Sequence, residues 1–131
     1  MEVYSAPFDV RLPRGDETSD DEIKTVVQPD ITVICDKTKL DDKGCKGSPD
    51  LVVEIVSPAS LKTDVKTKQA LYERFGIREY WIVYPAEKSV VVYRLQPSGK
   101  YELSDAYAQD ELIQVGIFGD LAIDLKEVFT E

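Results

Sequence analysis

Three residues in this sequence combine a chemically useful type with a demanding position: Asp30, Glu54 and Lys68. Glu54 interrupts an otherwise apolar run, Asp50 to Val56 (DLVVEIV). Such a run suits a strand buried on both faces. Side chains alternate along a strand, so Asp50, Val52, Glu54 and Val56 share a face. A carboxylate embedded there needs a cation, a metal or a proton. Lys68 occupies the centre of a helical stripe formed by Leu61, Val65, Tyr72 and Phe75. Burying an unpaired charge costs on the order of several kcal/mol, so this lysine must snorkel to water or meet an anion. Asp30 follows Pro29 in a second strand-like run and supplies another carboxylate. Two carboxylates and a lysine in one cleft suit metal-assisted phosphodiester hydrolysis. The cation binds the scissile phosphate and lowers the pKa of its water; the lysine orients that water or offsets developing negative charge.

Each residue also has an ordinary structural reading. Lys68 can snorkel or pair with Asp64, one turn earlier on roughly the same side. Asp30 can serve a turn after Pro29. Glu54 can belong to a buried ion pair without function. Convergence of all three on one open cleft discriminates between the two accounts.

What the sequence lacks narrows the chemistry further. It contains no histidine, which removes Ser-His-Asp, Cys-His and His-zinc catalysis together. Its seven glycines are scattered and form no phosphate-binding loop. Carboxylates and water favour a hard divalent ion, Mg²⁺ or Mn²⁺. The two cysteines, Cys35 and Cys45, match no CxxC motif and are expected to be reduced thiols in a cytoplasm, with a Cys35–Cys45 disulfide as the alternative. The net charge of −9 argues against a broadly basic nucleic-acid surface. Part of that charge lies in the run from Gly15 to Glu22, which reads as a solvated loop. No apolar run approaches the roughly 20 residues of a membrane span, and the opening residues Met1 to Val10 carry no secretory-signal pattern.

The elements that must position these residues follow in an alternating order, and the 131 residues suit a single α/β domain, residues 1–131. Strands are expected at Val3–Leu12, Thr25–Cys35 and Asp50–Val56. Pro29 marks a bulge, an edge or the true start of the second, because proline cannot donate to a sheet ladder. Asp36 to Ser48 reads as a polar loop, and Ser57-Pro58 ends the third strand. A helix should span about Thr63 to Phe75, with Gly76 closing it in the left-handed conformation. Glu79–Tyr84 and Ser89–Leu95 read as an antiparallel pair. The turn Pro97–Lys100 precedes shorter strands at Tyr101–Leu103 and Leu112–Val115, and Asp124–Phe129 reads as a terminal helix.

Together these segments resemble a known family. Gln28-Pro29-Asp30-Ile31, the stretch Gly47-Ser48-Pro49-Asp50 through Ser57-Pro58, the pattern Asp64-x3-Lys68-x3-Tyr72 and the stretch Gly76-Ile77-Arg78-Glu79-Tyr80-Trp81-Ile82-Val83 look like the Uma-two family of restriction-endonuclease-like proteins. The resemblance runs from Ala6 to about Leu95. It implies a mixed-sheet PD-(D/E)XK nuclease core acting on DNA, with Asp30 and Glu54 as the metal-binding carboxylates. The family often lacks a lysine two residues after the glutamate; here that position is Val56, and Lys68 on the helix is the implied substitute. Two departures are visible. Members that it resembles carry a longer N-terminal region, with a helix that can contribute another glutamate, so the chain is expected to be N-terminally truncated relative to them. They also often place aspartate where Tyr84 stands.

These implications lead to two functional expectations. One is a Mg²⁺-dependent DNA endonuclease using Asp30, Glu54 and Lys68. The other is a catalytically inactive nuclease-fold interaction or oligomerisation protein. A missing N-terminal helix would leave apolar sheet uncovered, so a homodimer is expected.

Overall fold

The computed structural model of the chain describes residues 2–57, 62–108, 111–116 and 122–124. Its centre is strand β7 (Leu51–Ile55), the apolar run that carries Glu54. It lies between β4 (Ile31–Ile34) and β8 (Glu79–Tyr84) in a six-stranded sheet. That sheet is completed by β1 (Glu2–Ser5) at one edge, then β9 (Ser89–Leu95) and β10 (Tyr101–Tyr107) at the other. The β7–β8 pair is parallel and the other pairs are antiparallel. Parallel neighbours need a crossover, here helix α1 (Lys62–Arg74).

Strand parity decides what each face of β7 meets. Val52 packs on the helix side with Tyr72, Ile77, Tyr80 and Ile82. Leu51 and Val53 point the other way, into a core with Val33, Trp81, Val90, Val92, Ile113 and Val115. Removing each such side chain from water stabilises the fold by about 1.5–3 kcal/mol. The helix ends as its glycine predicts. Gly76 has φ +71°, and the Ile77 N–H reaches back to the Tyr72 carbonyl at 3.1 Å. Phe75 lies just beyond the last helical residue, Arg74.

A second, four-stranded sheet has the order β3 (Val26–Val27), β2 (Val10–Arg11), β6 (Gly44–Lys46), β5 (Leu40–Asp41). It packs through Val10, Leu12, Ile34 and Cys45. Gly44 has φ +124°, and a Cβ there would run into the Asp9 carbonyl, which the Cys45 N–H reaches at 2.9 Å. Both cysteines are free. No helix among the described residues is long and apolar enough to cross a membrane.

Several expected elements differ. Val3–Leu12 is two strands, β1 and β2, in different sheets. Pro7 lies between them and has no N–H for a continuous ladder. Thr25–Cys35 divides likewise into β3 and β4 around Pro29. The polar loop Asp36–Ser48 contains a short 3₁₀ turn and the β5–β6 hairpin. Strand β10 runs on to Tyr107 through an irregularity after Leu103. Near the end, β11 (Leu112–Gln114) pairs with β12 (Ala122–Asp124), so Asp124 closes a strand instead of opening a helix. Pro58, Leu61, the Asp64 side chain and the rest of the expected terminal helix lie outside the described residues.

Candidate active site

Glu54 projects from β7 to the helix side, and only 5% of its surface is exposed. Two side chains of α1, one turn apart, meet its carboxylate. Tyr72 donates its hydroxyl to Oε2 at 2.5 Å, and the Lys68 ammonium lies 3.4 Å from Oε1. Residues four apart on a helix share a face, which is why one carboxylate receives both. Lys68 therefore points toward the sheet, as the helical stripe predicts, while keeping about a third of its side chain exposed.

Asp30 reaches the same place by strand register. Ile31 pairs with Val53, which sets the residue before β4 beside the end of β7. The Ile55 N–H donates to Asp30 Oδ2 at 2.6 Å, anchoring the carboxylate there. Asp30, Glu54 and Lys68 all line one cleft of about 240 Å³, together with Gln28, Val65 and Tyr80. A larger, mostly apolar cavity of about 530 Å³ adjoins it, sharing Val56 and Val65 as wall residues.

The electrostatics of Glu54 are opposed. Burial pushes its carboxyl above the ordinary range, and the neighbouring Asp30 charge pushes the same way. The Tyr72 hydrogen bond and the Lys68 charge pull down, but the net direction is upward. Burial and the facing carboxylate raise the Tyr72 hydroxyl, so it remains a donor.

Whether a divalent cation suits this cleft is a question of donors and charge. The donors are carboxylate oxygens, the hard ligands that Mg²⁺ and Mn²⁺ prefer. The two acids are close enough for Asp30 to disfavour ionisation of Glu54, and a cation would relieve that repulsion. Among the described residues no set of three or more histidine, cysteine or acidic side chains forms a metal cage. A Mg²⁺ ion that keeps several waters fits such a two-carboxylate site.

Residues 3–126 match the sequence pattern of the Uma-two family, described as "Putative restriction endonuclease". The chain belongs to this family. It is also similar to a crystal structure described as a putative nuclease belonging to DUF820 from Anabaena variabilis, with 23% sequence identity and a TM-score of 0.68. That likeness covers 97% of this chain and 66% of the other, so the chain spans slightly less than two thirds of that protein's length. The fold is thus the mixed α/β fold of restriction-endonuclease-like proteins, mostly strand with one described helix. No protein with a curated description matches.

Val56 and Lys68 both line the cleft, one from just beyond the end of β7 and one from the helix. Val56 shares the Glu54 face and lines the same cleft, where a lysine on the strand would point. Valine leaves that wall apolar, and the ammonium in the cleft belongs to Lys68. Tyr84 lines the adjoining cavity. Two residues beside the site, one buried behind Glu54 and one in the cleft wall, escaped assignment from sequence. Tyr72 reads there as core, although its hydroxyl was a signal that a buried acceptor must lie nearby. Gln28 lies two residues before Asp30 and lines the cleft, while its amide nitrogen donates to Asp9 at 2.6 Å. Nothing in its spacing distinguishes it from a surface glutamine.

Proposed function

We propose that this Uma-two protein is a Mg²⁺-dependent DNA endonuclease, with Mn²⁺ able to substitute, in which Asp30 and Glu54 hold the cation and Lys68 assists hydrolysis. The observation that carries the reading is the meeting of Asp30, Glu54 and Lys68 in one open cleft. An ordinary core ion pair would be closed to water; Lys68 is not. When bound, the cation supplies Lewis-acid polarisation of the scissile phosphate and a water of lowered pKa. Asp30, braced by the Ile55 N–H, presents its carboxylate from the edge of the cleft. Glu54 presents its own from the floor. The Lys68 ammonium orients the attacking water or offsets charge developing on the phosphate. With a net charge of −9, the chain repels a polyanion overall, so the cation and Lys68 have to make the phosphate welcome locally.

The test is cleavage of supercoiled and linear DNA with Mg²⁺, Mn²⁺ or a chelator. Metal-dependent nicking or cutting by the native chain, lost in Glu54→Gln, is expected. Absence of cleavage with every metal and substrate would overturn the reading and leave a catalytically inactive nuclease-fold interaction protein.

The assembly proposed is a homodimer in a cytoplasm that keeps Cys35 and Cys45 reduced. The strong burial of Val53, Trp81 and Val92 removes one face of the sheet as the joining surface. The edges support pairing better: Val3 on β1 and Leu103 on β10 are both more than half exposed. Like-charged subunits repel, so sedimentation should show the dimer tightening as salt rises. A monomer at every protein and salt concentration would overturn this assembly without touching the site.

A further inference from the structure

The two oxygens of the Glu54 carboxylate have different neighbours. Oε2 accepts the Tyr72 hydroxyl at 2.5 Å, and Oε1 faces Lys68 at 3.4 Å. The Tyr72 side chain is completely buried. Its ring lies edge-on to Tyr80, with centroids 5.1 Å apart, and packs in the core with Val52 and Ile77. A phenylalanine would make the same ring contacts. What the hydroxyl adds is its hydrogen bond to Glu54, on a ring whose direction the core has already set.

We propose that Tyr72 is a positioning residue: its hydroxyl holds Glu54 Oε2, so that Oε1 is the oxygen presented to the cation and to Lys68. This rests on reading the cleft as the metal site. It follows the general behaviour of metal ligands, in which a hydrogen bond to the far atom of a ligand orients the near one. A carboxylate released from the hydroxyl would turn about its last side-chain bond, a soft rotation for an sp³–sp² torsion.

Tyr72→Phe removes the hydroxyl and keeps the ring. Two measurements then decide. The first is Mn²⁺ binding followed by electron paramagnetic resonance, read beside the Mn²⁺ half-saturation of cleavage. Both should weaken by about 10–100-fold, the range for losing a ligand's supporting partner. The cleavage rate at saturating Mn²⁺ should fall far less, since excess metal restores occupancy. The second is the crystal structure of the metal-free variant, in which the Glu54 carboxylate should turn away from Lys68 or adopt more than one orientation. Unchanged Mn²⁺ affinity with Glu54 in its native orientation would overturn the proposal. Val52→Ala loosens the same core without removing the hydroxyl; it should lower the thermal midpoint and leave Mn²⁺ affinity alone. An equal loss of affinity in Val52→Ala would reduce Tyr72 to a packing residue. Failure of the native chain itself to bind Mn²⁺ would sink the metal-site reading, and the orientation of Glu54 in the variant crystal would then decide the positioning role by itself. Should Tyr72→Phe not fold, the hydroxyl proton resonance of Tyr72 in the native chain takes its place: it should move when Mg²⁺ is added, and a resonance indifferent to saturating Mg²⁺ would overturn the role.

Discussion

Among the described residues, two of the clusters of carboxylates and cations behave in opposite ways. One is the cleft of Asp30, Glu54 and Lys68. The other is centred on Arg11 in the smaller sheet. The Arg11 guanidinium grips both oxygens of Asp41, at 2.5 and 2.6 Å, and lies 3.4 Å from Asp20, which also receives Lys46. There hydrogen bonds from Lys46 and Arg11 hold the Asp20 and Asp41 carboxyls below their ordinary range. In the cleft, burial and a second acid raise Glu54 despite its two partners. Carboxylates held below their ordinary range brace a fold; the cleft proposed to take a cation is the opposite case, a buried carboxylate whose partners do not offset its burial. The direction of the shift, more than the number of charges, separates the two clusters.

That contrast can be broken most sharply by substitution. Glu54→Gln should reduce DNA cleavage by at least about 10²-fold, the scale of removing one preorganised electrostatic element, while leaving thermal stability equal or higher. Asp41→Asn should do the reverse, lowering the thermal midpoint with cleavage within about twofold of native, because the sites do not share partners. Loss of cleavage in Asp41→Asn with a normal thermal midpoint would erase the distinction.

Lys68→Met should follow, with cleavage down by about 10²-fold, as for a group acting on proton transfer or developing charge. Lys68→Arg keeps the charge but not the compact ammonium, and should recover only part of the rate. Full activity in Lys68→Met would return this lysine to the role of a structural partner of Glu54.

Metal binding gives a smaller and more direct contrast. Calorimetry should find a weak Mg²⁺ or Mn²⁺ site that Asp30→Ala weakens by about tenfold or more and Asp20→Asn leaves unchanged. Affinity should improve as pH rises through the carboxylate range, since cation and proton compete for Glu54. Equal binding by native protein and Asp30→Ala would assign the metal elsewhere.

The smallest effect is the pH dependence of stability. Glu54 has a folded value raised above its ordinary 4.5, so the native state holds its proton more tightly than the unfolded chain. Its contribution is fully present below 4.5 and is lost as pH rises through the folded value. Asp41 is depressed below its ordinary 3.8; its contribution is present above 3.8 and is lost as pH falls through the folded value. Denaturation across the acid range should therefore show Glu54→Gln removing a loss on the rising side and Asp41→Asn removing one on the falling side. Identical pH profiles for the two variants would mean that the clusters do not differ in this way.

Local rules were enough to make Glu54 and Lys68 visible. Alternation along the run Leu51–Ile55 places Glu54 with Val52, and the three- and four-residue steps of α1 turn Lys68 to the same side. The ends of β8 and β9 and the left-handed Gly76 are legible for the same reason: short-range sterics and proline or glycine punctuation decide them. Long-range pairing decided the rest. Val3–Leu12 and Thr25–Cys35 each divide between two sheets, because a proline can end a ladder but cannot say which strands the next residues will meet. The Ala6 N–H ends on the Asp30 carbonyl at 3.0 Å, a contact between the two breaks that neither segment announces alone. Asp30 enters the cleft through the Ile31–Val53 register, Tyr72 finds Glu54 across 18 residues of chain, and Arg11 finds Asp41 across 30. Residue type and periodicity limit which side chains can turn inward; which of them meet depends on strand register and on how the helix lies across the sheet, both settled only when the whole core packs.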